Sequence, residues 1–429
     1  MSSLESLIST AGEAPLMDSL SFVLPPASTS VVDRRQHVRA YPTSASTLTP
    51  TSTRTCRIRL GGDDFVDASS IRLVYTINNL DGTNPLTPLT GPWGAWSQVY
   101  LRSNGVELDN IPHYGRFHQQ YGWNHLQQSE QFGEAAICGM NGSWATTDQG
   151  NQPSMGTIAK SSSYTVMHKM YLSLFSSGKM LPTRYCPLEL EISVSNVVSD
   201  WLSTASGKST TFSITNVQVL YDAYIVDETV SESFYKALLA SRVLTIPTMT
   251  VYQTVQTIPP GSTSFSFAAV RAFSRLSHVW LTFRKTGARS SQFLCPTTIT
   301  GNSGGTPELS DSNAAGAPNS PSARLSIGPH FWPDPQPANN IPEMYYMFQK
   351  ALPGVPNITR DNYQTNCFTI CFDVRKVPSD PTSAISTRSG DLLRVDLQNL
   401  TADVANEVWL TLFAFSVTSI RESGVTLLT

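Results

Sequence analysis

Few residues in this 429-residue sequence are spaced in a way that suggests chemistry. Gly301-Asn302-Ser303-Gly304-Gly305 has the spacing of a nucleophile elbow, where a sharp strand-to-helix turn lifts a serine hydroxyl toward a base. Neither flanking element is legible, and the pentad sits in a Gly-, Ser-, Asn- and Pro-rich run where such patterns arise from composition, so a loop is favoured over a hydrolase at Ser303. The histidines at 37, 113, 118, 125, 168, 278 and 330 form no H-E-x-x-H and no i, i+4 pair. His118 and His125, seven apart, would share a helix face but have no carboxylate beside them. Asp63 and Asp64 precede a strand and read as turn residues, since paired carboxylates do acid–base work only in a pocket that displaces a pKa. No Walker-type loop or G-x-G-x-x-G is present. We therefore expect no catalytic residue, no cofactor and no metal.

The six cysteines, at 56, 138, 186, 295, 367 and 371, include no C-x-x-C pair, which argues against a zinc framework or a disulfide scaffold. Cys367 and Cys371 fall on one face of a strand-like run, too far apart in an extended chain to bridge. The aromatics Trp93, Trp96, Trp123, Phe331, Trp332, Tyr345, Tyr346 and Phe348 have few Lys or Arg among them, so core and interface anchoring suits them better than base stacking. The sequons at Asn141, Asn357 and Asn399 read as chance matches, because the N-terminus lacks the basic start and apolar core of a signal peptide.

Composition agrees with a structural role. Net charge is −3, and charged residues make up 14% of the chain, against about 25% in an ordinary soluble domain. A surface so poor in charge is easy to bury against neighbours. The arginines of the first sixty residues are scattered among acids, so no basic arm for direct nucleic-acid binding is expected. No apolar stretch approaches the roughly 18 residues of a membrane span.

The elements that would position any site are strands. Ile71, Leu73, Tyr75 and Ile77 alternate with Arg72, Val74, Thr76 and Asn78, the mark of a half-buried strand. Asn104-Gly105 between two apolar runs signals a hairpin. Further strands are expected at 164–175, 188–194, 212–226, 243–258, 264–267, 278–284, 367–374, 392–397 and 408–417. Helices are expected only near 114–128 and 231–240, while 127–163 and 287–340 read as long irregular loops. Three landmarks recur in order about 195 to 205 residues apart. Gly61 with the strand ending at Gly82 is echoed by Gly261 with the strand ending at Gly287. Leu188, Leu190 and Ile192 are echoed by Leu393, Val395 and Leu397, and 212–224 by 408–415. This spacing points to an all-β chain of two similar halves: an N-terminal arm at 1–54, a first domain at 55–230, a connector at 231–241 and a second domain at 242–429. In the arm, Leu4, Leu7 and Ile8 mark one side of a short amphipathic helix and a candidate interface.

Several stretches carry a family resemblance. Ile58-Arg-Leu-Gly-Gly-Asp-Asp-Phe65 leads into Ile71-Arg-Leu-Val-Tyr-Thr-Ile-Asn78, and Trp96-Ser-Gln-Val-Tyr-Leu-Arg-Ser-Asn-Gly-Val-Glu-Leu108 follows. Phe368-Thr-Ile-Cys-Phe-Asp-Val-Arg-Lys376 and Ser389-Gly-Asp-Leu-Leu-Arg-Val-Asp-Leu397 lie in the second half. In layout these resemble the double jelly-roll major capsid proteins of double-stranded DNA viruses, particularly those of virophages and polinton-like viruses. The resemblance implies two tandem eight-stranded jelly-roll β-sandwiches with a few short helices in the connections. It also implies a homotrimeric, pseudo-hexameric capsomer in an icosahedral virion, with neighbouring capsomers, penton and minor capsid proteins, or an internal membrane, as partners. The long loops would rise on the outer face, and Leu4, Leu7 and Ile8 would lie inside. The competing expectation is a carbohydrate- or receptor-binding β-sandwich that uses loop aromatics such as Trp332.

Overall fold

The computed structural model describes residues 32–140 apart from 63–64, 125 and 127; residues 154–284 apart from most of 229–242; and residues 322–428 apart from 353–357, 359–362, 364–366, 378–379, 381, 389–391, 401–406 and 422–423. Leu4, Leu7, Ile8, Asp63, Asp64, His125, Cys295, Ser303, the sequons at Asn141 and Asn357, and most of the 231–241 connector lie outside the described residues.

The first half contains β1 (Val32–Ala40), β2 (Thr47–Leu48), β3 (Thr55–Leu60), β4 (Phe65–Asp67), β5 (Arg72–Asn79), β6 (Trp96–Ser103), β7 (Val106–Ile111), β8 (Ser163–Lys169), β9 (Met180–Pro182), β10 (Leu188–Val194) and β11 (Phe212–Val226). The second contains β12 (Leu244–Thr257), β13 (Ser264–Ala269), β14 (Leu276–Arg284), β15 (Ser322–Ile327), β16 (His330–Trp332), β17 (Ile370–Asp373), β18 (Leu393–Gln398), β19 (Glu407–Arg421) and β20 (Gly424–Leu428).

Two antiparallel sheets face each other in each half. The first half pairs β1-β11-β5-β8 and β3-β10-β6-β7, and the second pairs β12-β19-β14-β17 and β13-β18-β15-β16. Counted within each half, both follow the order 1-8-3-6 and 2-7-4-5, which is a jelly roll. Eight strands correspond one to one. β2, β4 and β9 are additions to the first half, and β20 is an addition to the second. The extra strands perform equivalent work: β4 lies along Ala223 and Tyr224 of β11, and β20 lies along Val417–Arg421 of β19, so each long last strand gains a neighbour where its sheet partner ends.

Alternation explains the cores. Leu188, Leu190 and Ile192 point inward from β10, as Leu393, Val395 and Leu397 do from β18, and all are buried. Each such side chain contributes roughly 1.5–3 kcal/mol when fully buried. The expected hairpin is present as β6–β7, with Asn104 (φ 48°) and Gly105 (φ 81°) both left-handed, the geometry of a two-residue turn that matches strand twist.

Several expectations are corrected. Residues 32–40, expected within the arm, form β1. Its Val-Asp-Arg-Arg-Gln-His-Val-Arg-Ala sequence carries no apolar alternation because the strand is a largely exposed edge, held by backbone pairing to β11. The 127–163 segment contains a helix at Gln128–Cys138, and β15 and β16 lie within 287–340, where Ser-rich Ser322–Ile327 is recruited by pairing to β18. The strand expected to run to Phe175 stops at Lys169. Gly61 follows β3, whereas Gly261 precedes the equivalent β13, so that pair of landmarks is not equivalent, although the strands after them, β5 and β14, are.

Candidate assembly surfaces

Among the described residues, none of those with chemical potential converges on a reactive centre. His118 is buried and stacked on Trp93, with ring centroids 4.1 Å apart and Nε2 2.9 Å from the Lys169 carbonyl oxygen. His168 lies 5.3 Å from it, edge to face. Burial holds the His118 imidazole down at about 3 and pushes His168 below its usual range, so both stay neutral. Among the described residues no three His, Cys, Asp or Glu side chains are grouped to hold a metal ion. Cys56, Cys138, Cys186, Cys367 and Cys371 are buried free thiols, raised by burial. Trp93, Trp96, Trp123 and Phe348 are core residues, Trp332 and Tyr345 pack against the core, and Phe331 and Tyr346 are exposed. The guanidinium of Arg324 covers the Phe331 ring at 3.9 Å.

The most elaborated geometry joins the two lobes. After β7 the chain turns through a short helix, α1 (Tyr114–Phe117), that continues as a π-helical turn at His118–Gly122. The π-turn widens the helix where aromatic side chains must project. Its first turn approaches the first lobe closely, since a Cβ on Gly115 would sit 2.9 Å from both Gly94 Cα and the Trp93 carbonyl oxygen. The other side of α1 lies on the outward face of β14 and β19. Arg116 Nη2 donates to Thr282 Oγ1 at 2.8 Å, and its guanidinium lies 4.7 Å from the Trp409 ring. Tyr121 meets Trp280 at 5.6 Å and Phe413 at 5.3 Å, and His113 meets Trp409 edge to face at 4.4 Å. Asn124 Nδ2 reaches Cys367 Sγ at 3.0 Å, and Arg284 Nη2 pairs with Asp200 at 2.7 Å. Burial, opposed by Glu407 and Asp200 nearby, lowers the Arg116 pKa well below its usual value. Beside α1, β7 and β12 enclose a cleft of about 300 Å³ lined by Asp109, Tyr252 and Arg271. There burial pushes the Asp109 carboxyl up to about 7 against the backbone N–H of Ser173, which donates at 2.7 Å.

Sequence reasoning missed this seam, although a signal was present. Val279, Leu281 and Phe283 point into the second sandwich, while His278, Trp280 and Thr282 point out of it, the last two onto Tyr121 and Arg116 of the first lobe, and all six are buried. A continuous apolar run such as Val279-Trp280-Leu281 marks a strand covered on both faces, whereas simple alternation marks one covered face.

Two further faces remain open. The outward face of β3, β10 and β6 carries a charge ladder in which Arg57 and Arg102 both reach Glu191, at 2.9 and 3.3 Å. Its counterpart on the second lobe carries Arg394 paired with Asp396 at 2.9 Å. Exposed pairs of this kind are worth about 0–1 kcal/mol each and contribute more to the choice of partner than to stability.

No protein-family model matches the chain, and no curated protein matches it. Among solved structures it is similar to PBCV-1 VP54, as fitted into a cryo-EM reconstruction of the virophage Sputnik, with TM-score 0.64, 10% identity, and 95% of this chain and 99% of that chain covered. It is likewise similar to the PBCV-1 virus capsid (TM-score 0.61, 10% identity, 95% and 99% covered) and to the Faustovirus major capsid protein (TM-score 0.60, 8% identity, 98% and 97% covered). At these identities the likeness establishes the fold: two tandem jelly rolls, over nearly the whole length of each chain.

Proposed function

We propose that this chain is a structural subunit of a virion shell, a major capsid protein whose three copies form a pseudo-hexameric capsomer. The observation that carries this is the repetition of one strand order in two lobes, joined so that one lobe's edge covers the other lobe's sheet. Three such chains in a closed ring present six similar lobes and so near-sixfold edges for tiling, while remaining a simple threefold oligomer. The charge ladders on the outward four-stranded sheets suit contacts between capsomers. Penton and minor capsid proteins, and an internal membrane, are partners that fit this reading, with Leu4, Leu7 and Ile8 as an inward-facing contact. Division of the chain at a connector over 231–241 belongs to the same reading, as does location in the virion. It assigns no enzymatic activity, no cofactor and no direct nucleic-acid contact.

The test is the mass of the purified full-length protein and its appearance in negative stain. Trimers and hexagonal particles are expected; a dispersed monomer under every condition of salt and pH sinks the proposal. Glycan binding through Phe331, Trp332 or Tyr346 is the competing reading. It predicts selective retention on a glycan array, abolished by Trp332→Ala, and no tiling. Ser303→Ala is expected to leave every property unchanged.

A further inference from the structure

In β7, Asp109 stands directly opposite Leu101 of β6, a core residue, so an acid occupies a position where alternation calls for an apolar side chain. The cleft between the lobes lies beside it. One wall is β7; the other carries Thr250, Tyr252, Arg271 and Phe273 of the second lobe, and Leu427 of β20 reaches in next to them. At about 300 Å³ the space takes several waters. Asp109 lines this space yet is only 4% exposed. Its Oδ1 accepts from the Asn110 N–H at 3.1 Å and its Oδ2 from the Ser173 N–H at 2.7 Å. Ser173 immediately precedes the turn at Leu174–Ser176, which lies against β12, so the carboxyl is tied to a segment that touches the second lobe. The charges around it do not neutralise it. On β7 the neighbour is Glu107, a like charge, and Arg102 of β6, opposite Glu107, reaches Glu191 instead. The second lobe brings Arg271, but its guanidinium lies 4.3 Å from the Tyr252 ring and 5.6 Å from the Phe273 ring, and among the described residues no ion pair joins it to either carboxyl. α1 contributes the Tyr114 hydroxyl, kept neutral by burial. A carboxyl shut off from water beside a like charge keeps its proton, which is why burial pushes Asp109 up to about 7.

We propose that this cleft is a proton-operated joint within the chain: the lobes close on Asp109 when it is protonated and part enough to admit water to it when it is ionised. Such a joint goes beyond the shell reading and stands without it. The movement required is small, because the cleft already opens to solvent beside the buried carboxyl. Linkage sets its direction. In the closed state Asp109 titrates at about 7, and once hydrated it returns toward 3.8. Below about pH 4 both states carry the proton, and the closed state has its full advantage. As pH rises from about 4 to 7 the open state releases a proton that the closed state keeps, so the opening equilibrium grows by up to about tenfold per pH unit. Above 7 both states are ionised and the gain stops. His113, next after Pro112 at the cleft, acts in the opposite sense: it faces Trp409, and burial pushes it down to about 4, so its charging favours opening in acid. Comparison with a variant that alters Asp109 alone removes that contribution. The joint gives one chain two lobe arrangements, selected between mildly acidic and neutral conditions.

The experiment is amide hydrogen exchange of the full-length protein, read by mass spectrometry from pH 5 to 8.5 and corrected for the intrinsic pH dependence of exchange. Asp109→Asn keeps an acceptor oxygen and resembles the protonated group, so its cleft should stay closed throughout. Relative to that variant, wild-type peptides covering 106–112, 170–176 and 249–253 should lose protection by up to about tenfold per pH unit as far as pH 7 and then level off. The central strand β10, two strands from β7 in its sheet, should show no such difference. Glu107→Gln should keep the pH dependence and move its midpoint down, because a like charge is gone. In case Asp109→Asn fails to fold, the infrared band of a protonated carboxyl in the wild type should disappear with a midpoint at about 7, in step with the exchange of the cleft peptides. Cleft protection that follows the same pH course in wild type and Asp109→Asn overturns the joint, as does a loss of protection shared equally by β10. So does a pH dependence that Glu107→Gln abolishes, since Glu107 would then be the titrating group, or a carboxyl band that titrates while the cleft stays protected. None of these results touches the shell reading, which is tested by mass and tiling.

Discussion

Replacing His118 with phenylalanine isolates the cost of keeping an imidazole neutral inside the first lobe. The ring stacks on Trp93 and lies beside the Lys169 carbonyl oxygen, to which Nε2–H donates in the neutral form, and burial holds its pKa at about 3 against 6.5 when unfolded. Above pH 6.5 neither state carries the proton, and the full stability is present. As pH falls from 6.5 toward 3 the unfolded chain binds a proton that the folded chain refuses, so stability is lost by about 1.4 kcal/mol per pH unit, roughly 5 kcal/mol over the window. His118→Phe keeps the stack but orphans the Lys169 carbonyl, which costs about 1–3 kcal/mol at pH 7.5. By pH 4 the wild type has lost about 3 kcal/mol that the variant does not lose. The variant is therefore less stable near neutrality and equal or better in acid. Urea midpoints followed by tryptophan fluorescence from pH 7.5 to 4 measure the crossing, and carboxylates common to both proteins cancel in the difference. A wild-type minus variant difference that stays constant with pH refutes the assignment of a buried neutral His118.

Three further outcomes are expected. Trp280→Ala removes the ring packed against Tyr121 and Phe413 and should cost about 3–5 kcal/mol in chemical denaturation, with the loss of lobe-to-lobe contact seen as faster proteolysis between the lobes. Gly115→Ala puts a methyl 2.9 Å from backbone of the 93–96 segment, which cannot swing aside, and should lower stability by about 1–3 kcal/mol or more; a change within 0.5 kcal/mol would contradict the tight approach of α1. A thiol reagent should leave Cys56, Cys138, Cys186, Cys367 and Cys371 unmodified in the folded protein and react with them in denaturant, because burial pushes Cys56 and Cys367 up to about 12 and raises the others; peptide mapping would read this.

Alternation and turn chemistry made most strands legible. Leu188-Glu-Leu-Glu-Ile192 and Leu393-Arg-Val-Asp-Leu397 show their buried face directly, and Asn104-Gly105 shows its turn. Strands that rely on a neighbour were not legible. β1 is exposed and polar over most of its length, with only Val38 and Ala40 packed against the core, and β15 is short and Ser-rich, so each owes its conformation to pairing partners far along the chain. The repeat was visible at β10 and β18, where the core face is conserved in chemistry between halves, but it was misaligned at Gly61 and Gly261, where only turn glycines were available to match.

Local spacing thus determined that the chain is a tandem of β lobes, because a period of two reports which side of a strand is apolar. It could not determine what lies against the other side. β5 and β14 occupy the same place in their lobes, yet the outward residues of β5 include Thr76 and Asn78, and those of β14 include Trp280 and Thr282. Only the tertiary structure placed α1 and its π-turn over the second set, since that depends on contacts such as Arg116 with Thr282, formed 166 residues apart.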